Sequence, residues 1–320
     1  MQVTPTNKPG RVSVVIPSKN EGDWVQRTVQ QVLQVGGPLK EVLIVDDGST
    51  DGSCDNLEDR DRFEPVRVIQ TAGVGASAAR NLGAADASGD ILVFLDAHSL
   101  PEQGWLEEIC EVLDMGHAMA AGLLIPFDHD ENPLPYEMLG RWYIPGRLPW
   151  EVCHWPAPKG DAIPIGYGAC QAFQAKAFQM IGGYCEELPF GLEDMEVCVR
   201  MWGRGGTIGA APGARVRTLM KDWGRRPDKD EIGLSMWINQ VKHVVLHWSP
   251  VRLTAMWSAI AEEWKAYPGL YDAVWEACQE PSVIELRRRY RSEATLSDDD
   301  LFGMFAELPG QVVRGDNNAA

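Results

Sequence analysis

Asp90-Ile91-Leu92-Val93-Phe94-Leu95-Asp96-Ala97-His98 is the stretch on which the reading of this chain turns. Five apolar, β-prone residues end abruptly on an acid and a histidine held one residue apart. A short apolar run of this kind reads as a buried strand. In strand-like backbone, positions two apart point the same way, so Asp96 and His98 share a face. A carboxylate oxygen and an imidazole nitrogen converging on one point suit a divalent cation such as Mn²⁺ or Mg²⁺. The carboxyl end of a strand in an open α/β sheet is also where ligands sit. The alternative is a polar loop after a strand, since loops are rich in Asp and His.

Upstream, Arg11 to Ile16 forms a first strand closed by Pro17, and a helix is expected over residues 22–35. A second strand, Glu41 to Val45, runs into Asp46-Asp47-Gly48-Ser49. A third, Val66 to Ile69, passes Gly73 and Gly75 into a helix over residues 77–87. Strands alternating with helices at this spacing indicate an α/β fold with a mostly parallel sheet and right-handed crossovers. Downstream come a helix over 104–115, a strand over 119–125 and a helix over 193–202 whose first turn is acidic, as the helix dipole favours. Residues 127–165 are proline-rich with few regular patterns and read as a long functional loop region. Beyond Pro227 the chain turns helical and tryptophan-rich. The expected division is an α/β domain over 1–226 and a helical C-terminal region over 227–320.

A net charge of −17 over 320 residues argues against nucleic acid as a partner. An anionic substrate would need local help from a metal, a helix N-terminus or a few placed arginines. No run approaches 18 apolar residues, so no integral membrane segment is expected. The first ten residues lack the apolar core of a signal peptide, which makes the cytoplasm the expected location. Seven cysteines without CxxC spacing predict buried free thiols rather than a disulfide or zinc framework.

Four polar segments fall at strand ends: Pro17-Ser18-Lys19-Asn20-Glu21, Asp46-Asp47-Gly48-Ser49, Asp96-Ala97-His98, and Leu192-Glu193-Asp194 after Gly182-Gly183-Tyr184. In these the chain resembles the nucleotide-sugar glycosyltransferases of the GT-A fold. Its opening half is similar to glycosyltransferase family 2, through Val14-Val15-Ile16-Pro17, Val45-Asp46-Asp47-Gly48-Ser49-Thr50-Asp51 and Ala79-Arg80-Asn81-Leu82-Gly83. Its second half is closer to the polypeptide N-acetylgalactosaminyltransferases and related galactosyltransferases, through Asp96-Ala97-His98 and Ile181-Gly182-Gly183-Tyr184 with Phe190-Gly191-Leu192-Glu193-Asp194-Met195-Glu196. The resemblance implies metal-dependent transfer of a sugar from a UDP-sugar to an acceptor, either a peptide or protein or a small molecule. Asp96 and His98 would hold the metal. Pro17, Ser18 and Glu21 would wall the base and ribose pocket, and Asp46 would accept from a uracil N–H or a ribose hydroxyl. Asp47 would cap the turn with Gly48 and Ser49. Arg80 would either pair with the donor phosphates or brace the acidic turns. Asp194 would be the general base if the reaction inverts, with Glu193 binding acceptor or capping the helix. Retention stays open.

Gly166 and Gly168 around Tyr167 suggest backbone pressed close to a ligand. Trp142, Trp150 and Trp155 either stack on a sugar ring or pack, with packing expected for two of the three. One departure stands out: Thr218 occupies the place where the polypeptide transferases carry a further metal-binding histidine. Water, or His243 and His247 at helical i, i+4 spacing, would have to replace it, although packing is the other use of such a pair. A nucleotidyltransferase is the rival enzyme, but it would want a Gly-rich basic loop where this chain has Pro17-Ser18-Lys19-Asn20-Glu21. A catalytically silent sugar-nucleotide-binding protein is the rival of another class.

Overall fold

Residue-by-residue alternation along β4 (Ile91–Leu95) shows how the molecule is layered. Leu92 and Phe94 enter one buried cluster, while Ile91, Val93 and Leu95 enter another on the opposite face. A strand apolar on both sides needs cover on both sides. The computed structural model describes residues 10–55, 57, 65–144, 147–221 and 229–307. Ahead of β4 lie β1 (Val12–Ser18), α1 (Trp24–Val35), β2 (Leu39–Asp46), β3 (Val66–Gln70) and α2 (Ala76–Asp86). After it come β5 (Ser99–Pro101), α3 (Trp105–Asp114), β6 (Met119–Phe127), β7 (Gly140–Tyr143), β8 (Val152–Trp155), β9 (Ile165–Gly166) and β10 (Cys170–Gln174). Then follow α4 (Ala175–Ile181), α5 (Glu193–Gly203), β11 (Ile208–Leu219), α6 (Lys229–His247), α7 (Pro250–Glu263), α8 (Pro268–Cys278), α9 (Pro281–Glu293) and α10 (Asp298–Met304). Helices α1 and α3 cover the face of Val93, and α2, α4 and α5 cover that of Phe94.

The large sheet has the order β3-β2-β1-β4-β10-β6-β11-β5. β1 pairs in parallel with both β2 and β4, and β2 with β3. β10 then runs antiparallel between β4 and β6, and β5 antiparallel to β11. The parallel half is therefore as expected, and the second half is mixed. After building outward to β3, the chain returns to the far side of β1. That reversal opens a crevice above the carboxyl ends of β1 and β4, the place where open α/β sheets bind ligands.

The Ala79-Arg80-Asn81-Leu82-Gly83 motif has a packing reason. A methyl at Gly83 would lie 3.0 Å from Val45 Cγ2 and closer still to Val15 Cγ1, so the missing side chain lets α2 settle on the sheet. Asn81 accepts from Tyr184 N at 2.8 Å and donates to Tyr184 O at 3.0 Å, which ties α2 to the Gly182-Gly183-Tyr184 turn. Alanine at 83 gains about 1 kcal/mol in helix propensity. Overpacking against two stiff β-branched side chains costs more, about 1–3 kcal/mol. Gly83→Ala is thus expected to be net destabilising, seen as a lower urea midpoint at unchanged slope.

The proline-rich stretch is not all loop. It folds as a small sheet in the order β8-β7-β9. None of its tryptophans lines the cleft described below. Trp142 and Trp155 pack on Phe305, and Trp150 lies parallel to Trp264 at 5.5 Å. All three therefore pack, and none is placed to stack on a sugar. Their partners come from the C-terminal helices, which share one buried cluster with α2, α4 and α5. The expected boundary at residue 226 lies outside the described residues. All seven cysteines are buried and unpaired, as expected. No helix among the described residues is long and apolar enough to cross a membrane.

Candidate active site

A cleft of about 660 Å³ opens above the reversal point of the sheet. Pro17 and Ser18 from the end of β1, Asp96 and His98 from the end of β4, and Thr218 and Lys221 from the end of β11 line one part. Arg141, Tyr167, Gly168, Leu192, Glu193 and Asp194 line another, and Ser235 and Met236 of α6 complete the rim. The four motif segments are thus brought to one cavity.

At its floor, His98 Nε2 lies 4.0 Å from Asp96 Oδ2. The other ring nitrogen, Nδ1, is 3.1 Å from Glu21 Oε2. A carboxylate only accepts, so Nδ1 carries the hydrogen, and in the neutral ring the acceptor nitrogen is then Nε2, on the side of Asp96. Two atoms each about 2.1 Å from one cation can be at most about 4.2 Å apart, so the pair lies within reach of a single divalent ion, near the upper limit of that reach. Glu21 lines the cleft with Pro17 and Ser18, and its carboxylate faces His98. Its second oxygen accepts from Lys221 Nζ at 2.6 Å. Burial pushes the Glu21 carboxyl up, but His98 and Lys221 outweigh that and hold it down at about 2.

Arg80 braces the acids. It donates to Glu193 Oε1 at 2.6 Å and to Asp96 Oδ1 at 3.2 Å, and is only 5% exposed. Of its two expected uses, the structure shows the salt bridge, with the guanidinium committed to protein carboxylates. Burial pushes the Glu193 carboxyl up, helped by the Asp194 charge and opposed by Arg80. Glu193 Oε2 is buried without a hydrogen-bond partner among the described residues. Asp194 Oδ2 accepts from Gly168 N at 2.9 Å and pairs with Arg141. Arg141 in turn lies 4.6 Å from the Tyr167 ring centroid.

The two adjacent acids at the end of β2 point to different partners. Asp46 Oδ1 accepts from Ser49 N at 2.9 Å and so caps the turn, and Asp46 does not line the cleft. Asp47 lines it, while accepting from Thr71 Oγ1, Val74 N and Gly75 N. Thr218 lines the cleft too, but its hydroxyl is bonded to Ser99 Oγ at 2.9 Å. His243 and His247 cannot replace it. His243 bonds Tyr143 OH at 3.0 Å, and burial pushes its imidazole down to about 3. His247 bonds Glu196 at 2.8 Å, away from the cleft. Gly168 lines the cleft, and both glycines also admit close protein neighbours: a Cβ at Gly168 would meet Asp194, and one at Gly166 would run into Ala121. Arg141, Lys221 and the placement of Asp47 were not anticipated. The signal for Arg141 is a lone arginine between Gly140 and Trp142-Tyr143, in what proves to be β7.

An open α/β sheet with a lined crevice above its reversal point is the architecture of a ligand-binding doubly wound fold. The chain belongs to glycosyl transferase family 2, whose model matches residues 13–179, just over half its length. Among curated proteins it is 33% identical over 237 residues to polypeptide N-acetylgalactosaminyltransferase 8 of Drosophila melanogaster, covering 68% of this chain and 39% of the relative. It therefore spans about two fifths of that relative's length. The crystal structure of GalNAc-T7 with UDP, GalNAc and Mn²⁺ superimposes with a TM-score of 0.67 at 19% identity, covering 92% of this chain and 56% of the other. A mannosyltransferase from Pyrobaculum calidifontis, in complex with GDP-Man and Mn²⁺, gives 0.52 at 19% identity, with coverages of 94% and 81%.

Proposed function

We propose that the chain is a metal-dependent glycosyltransferase that moves a sugar from a UDP-sugar onto a hydroxyl of an acceptor, with a peptide or protein as the leading acceptor. The observation that carries this reading is Asp96 and His98 facing each other across 4.0 Å at the floor of the cleft. The UDP and Mn²⁺ of the GalNAc-T7 structure support it, as does the identity to a polypeptide N-acetylgalactosaminyltransferase. Asp96 and His98 would hold Mn²⁺ or Mg²⁺, which supplies positive charge opposite a leaving diphosphate. The chain's own residues do the rest. Pro17 and Ser18 wall the nucleotide end. Glu193, held by Arg80, lines the wall beside Asp194. Asp194 keeps Oδ1 for substrate, since Oδ2 is taken by Arg141 and Gly168. If the product is inverted, Asp194 takes the acceptor proton; the anomeric configuration of the product decides.

Calorimetric titration with UDP and a panel of UDP- and GDP-sugars, with and without Mn²⁺, tests the donor site. Metal-dependent binding of UDP that is lost in Asp96→Ala is the expected result, and no nucleotide binding at all would overturn the reading. A mass increase on serine- or threonine-bearing peptides after incubation with the best donor tests the acceptor. The commitment of Thr218 to Ser99 favours one other reading, a protein that binds sugar nucleotides without turnover. Binding without release of UDP would select it.

A further inference from the structure

We infer that Glu21 and Lys221 are positioning residues that set the cation-facing edge of His98, an assignment that rests on the donor-site reading above. Glu21 accepts the Nδ1 hydrogen of His98 at 3.1 Å, which fixes the tautomer and turns Nε2 to the side of Asp96. Lys221 Nζ donates to the other carboxylate oxygen at 2.6 Å, so each oxygen of Glu21 has a partner that holds it in place.

The backbone around Glu21 is pinned as tightly as its side chain. Asn20 is held at a positive φ of 54°, which is uncommon for a non-glycine residue. Its N–H donates to Ser49 Oγ at 3.0 Å, and its Oδ1 accepts from Thr50 N at 2.8 Å. On the other side, Gly22 N donates to Asp51 Oδ2 at 3.0 Å. The Ser49-Thr50-Asp51 end of the acidic turn thus holds the loop that carries Glu21. Lys221 closes the arrangement from the far wall, just past β11.

This arrangement matters more here because few donors converge. No group of three or more His, Cys, Asp or Glu side chains suited to a metal occurs among the described residues. Thr218 has its hydroxyl on Ser99. With Asp96 and His98 as the protein donors, a rotated imidazole would leave a single ligand.

Simple electrostatics and positioning predict different outcomes. Removing a lysine near a cation site should strengthen cation binding by charge alone, and exchanging glutamate for aspartate should leave it unchanged. Positioning predicts a loss in both. The experiment follows the free Mn²⁺ signal by electron paramagnetic resonance, at saturating UDP, for wild type, Glu21→Asp and Lys221→Met. Glu21→Asp, which keeps the charge but withdraws it by one methylene, is expected to weaken Mn²⁺ binding roughly 10- to 100-fold. Lys221→Met is expected to weaken it in the same direction. The melting temperature and urea midpoint of Glu21→Asp should match wild type, which separates positioning from misfolding. Mn²⁺ affinity of Glu21→Asp equal to wild type, or Lys221→Met binding as tightly or more tightly, overturns the assignment alone. Wild-type protein that takes up no Mn²⁺ with UDP present overturns the donor-site reading and this assignment with it.

Discussion

Mn²⁺-dependent turnover of the donor is expected to fall by roughly a thousandfold in Asp96→Ala, since charge stabilisation of this kind is worth several kcal/mol and each 1.36 kcal/mol is a factor of ten. Asp96 meets two demands with separate oxygens. Oδ1 accepts from Arg80 at 3.2 Å, and Oδ2 faces His98 Nε2 at 4.0 Å. Its side chain is 27% exposed and sits past the end of β4, so alanine removes no core contact. Arg80 keeps its shorter pair, to Glu193 at 2.6 Å. The variant should therefore melt close to wild type while its rate of UDP release, measured with and without Mn²⁺, loses most of the metal-dependent part. A variant that retains the wild-type rate would remove Asp96 from the chemistry and leave it a brace for Arg80.

Asp96 and His98 were legible because what places them is local. A five-residue apolar run sets β4, and the two-residue period sets the shared face. The partners that complete the site are not local. Glu21 and Lys221 are 200 residues apart, and Arg141 and Asp194 are 53 apart. No periodicity in the chain announces either pair. Asp46 and Asp47 show a different limit. Neighbours at a strand end point to opposite sides, so which one turns to the cleft depends on where β2 stops. β2 stops at Asp46, whose carboxylate folds back on Ser49 while Asp47 reaches the loop ahead of α2. Packing was expected for two of the three tryptophans of the proline-rich stretch and all three pack, but their partners were not legible, for the reason that Arg141 was not. Trp150 meets Trp237 and Trp264, and Trp142 meets Phe302 and Phe305, all from helices far along the chain.

Arg80→Met is expected to destabilise the fold by about 3–5 kcal/mol, the usual cost of stripping one partner from a buried ion pair. Arg80 is nearly covered, and Glu193, its closest partner, is 5% exposed. Without the guanidinium, Glu193 would be a buried carboxylate with one oxygen already unpartnered. Two further results distinguish this cause from lost packing. Glu193 is pushed up by burial even with Arg80 present. Without Arg80 it rises further, and the folded state then binds a proton more readily than the unfolded chain. Stability of the variant should accordingly increase as pH falls through the raised folded value and approach the wild type's, whereas a cavity would show no such trend. Arg80→Met with Glu193→Gln should also recover much of the loss, because the amide carries no charge to strand. Urea unfolding of the two single variants and the double, at neutral and mildly acidic pH, gives the coupling directly. If the double variant loses the sum of the two single losses, Arg80 acts through its stem and through its guanidinium, 5.3 Å from the Tyr184 ring centroid, rather than through Glu193. Recovery would mean that the arginine is retained to balance the buried charge of Glu193 beside Asp194.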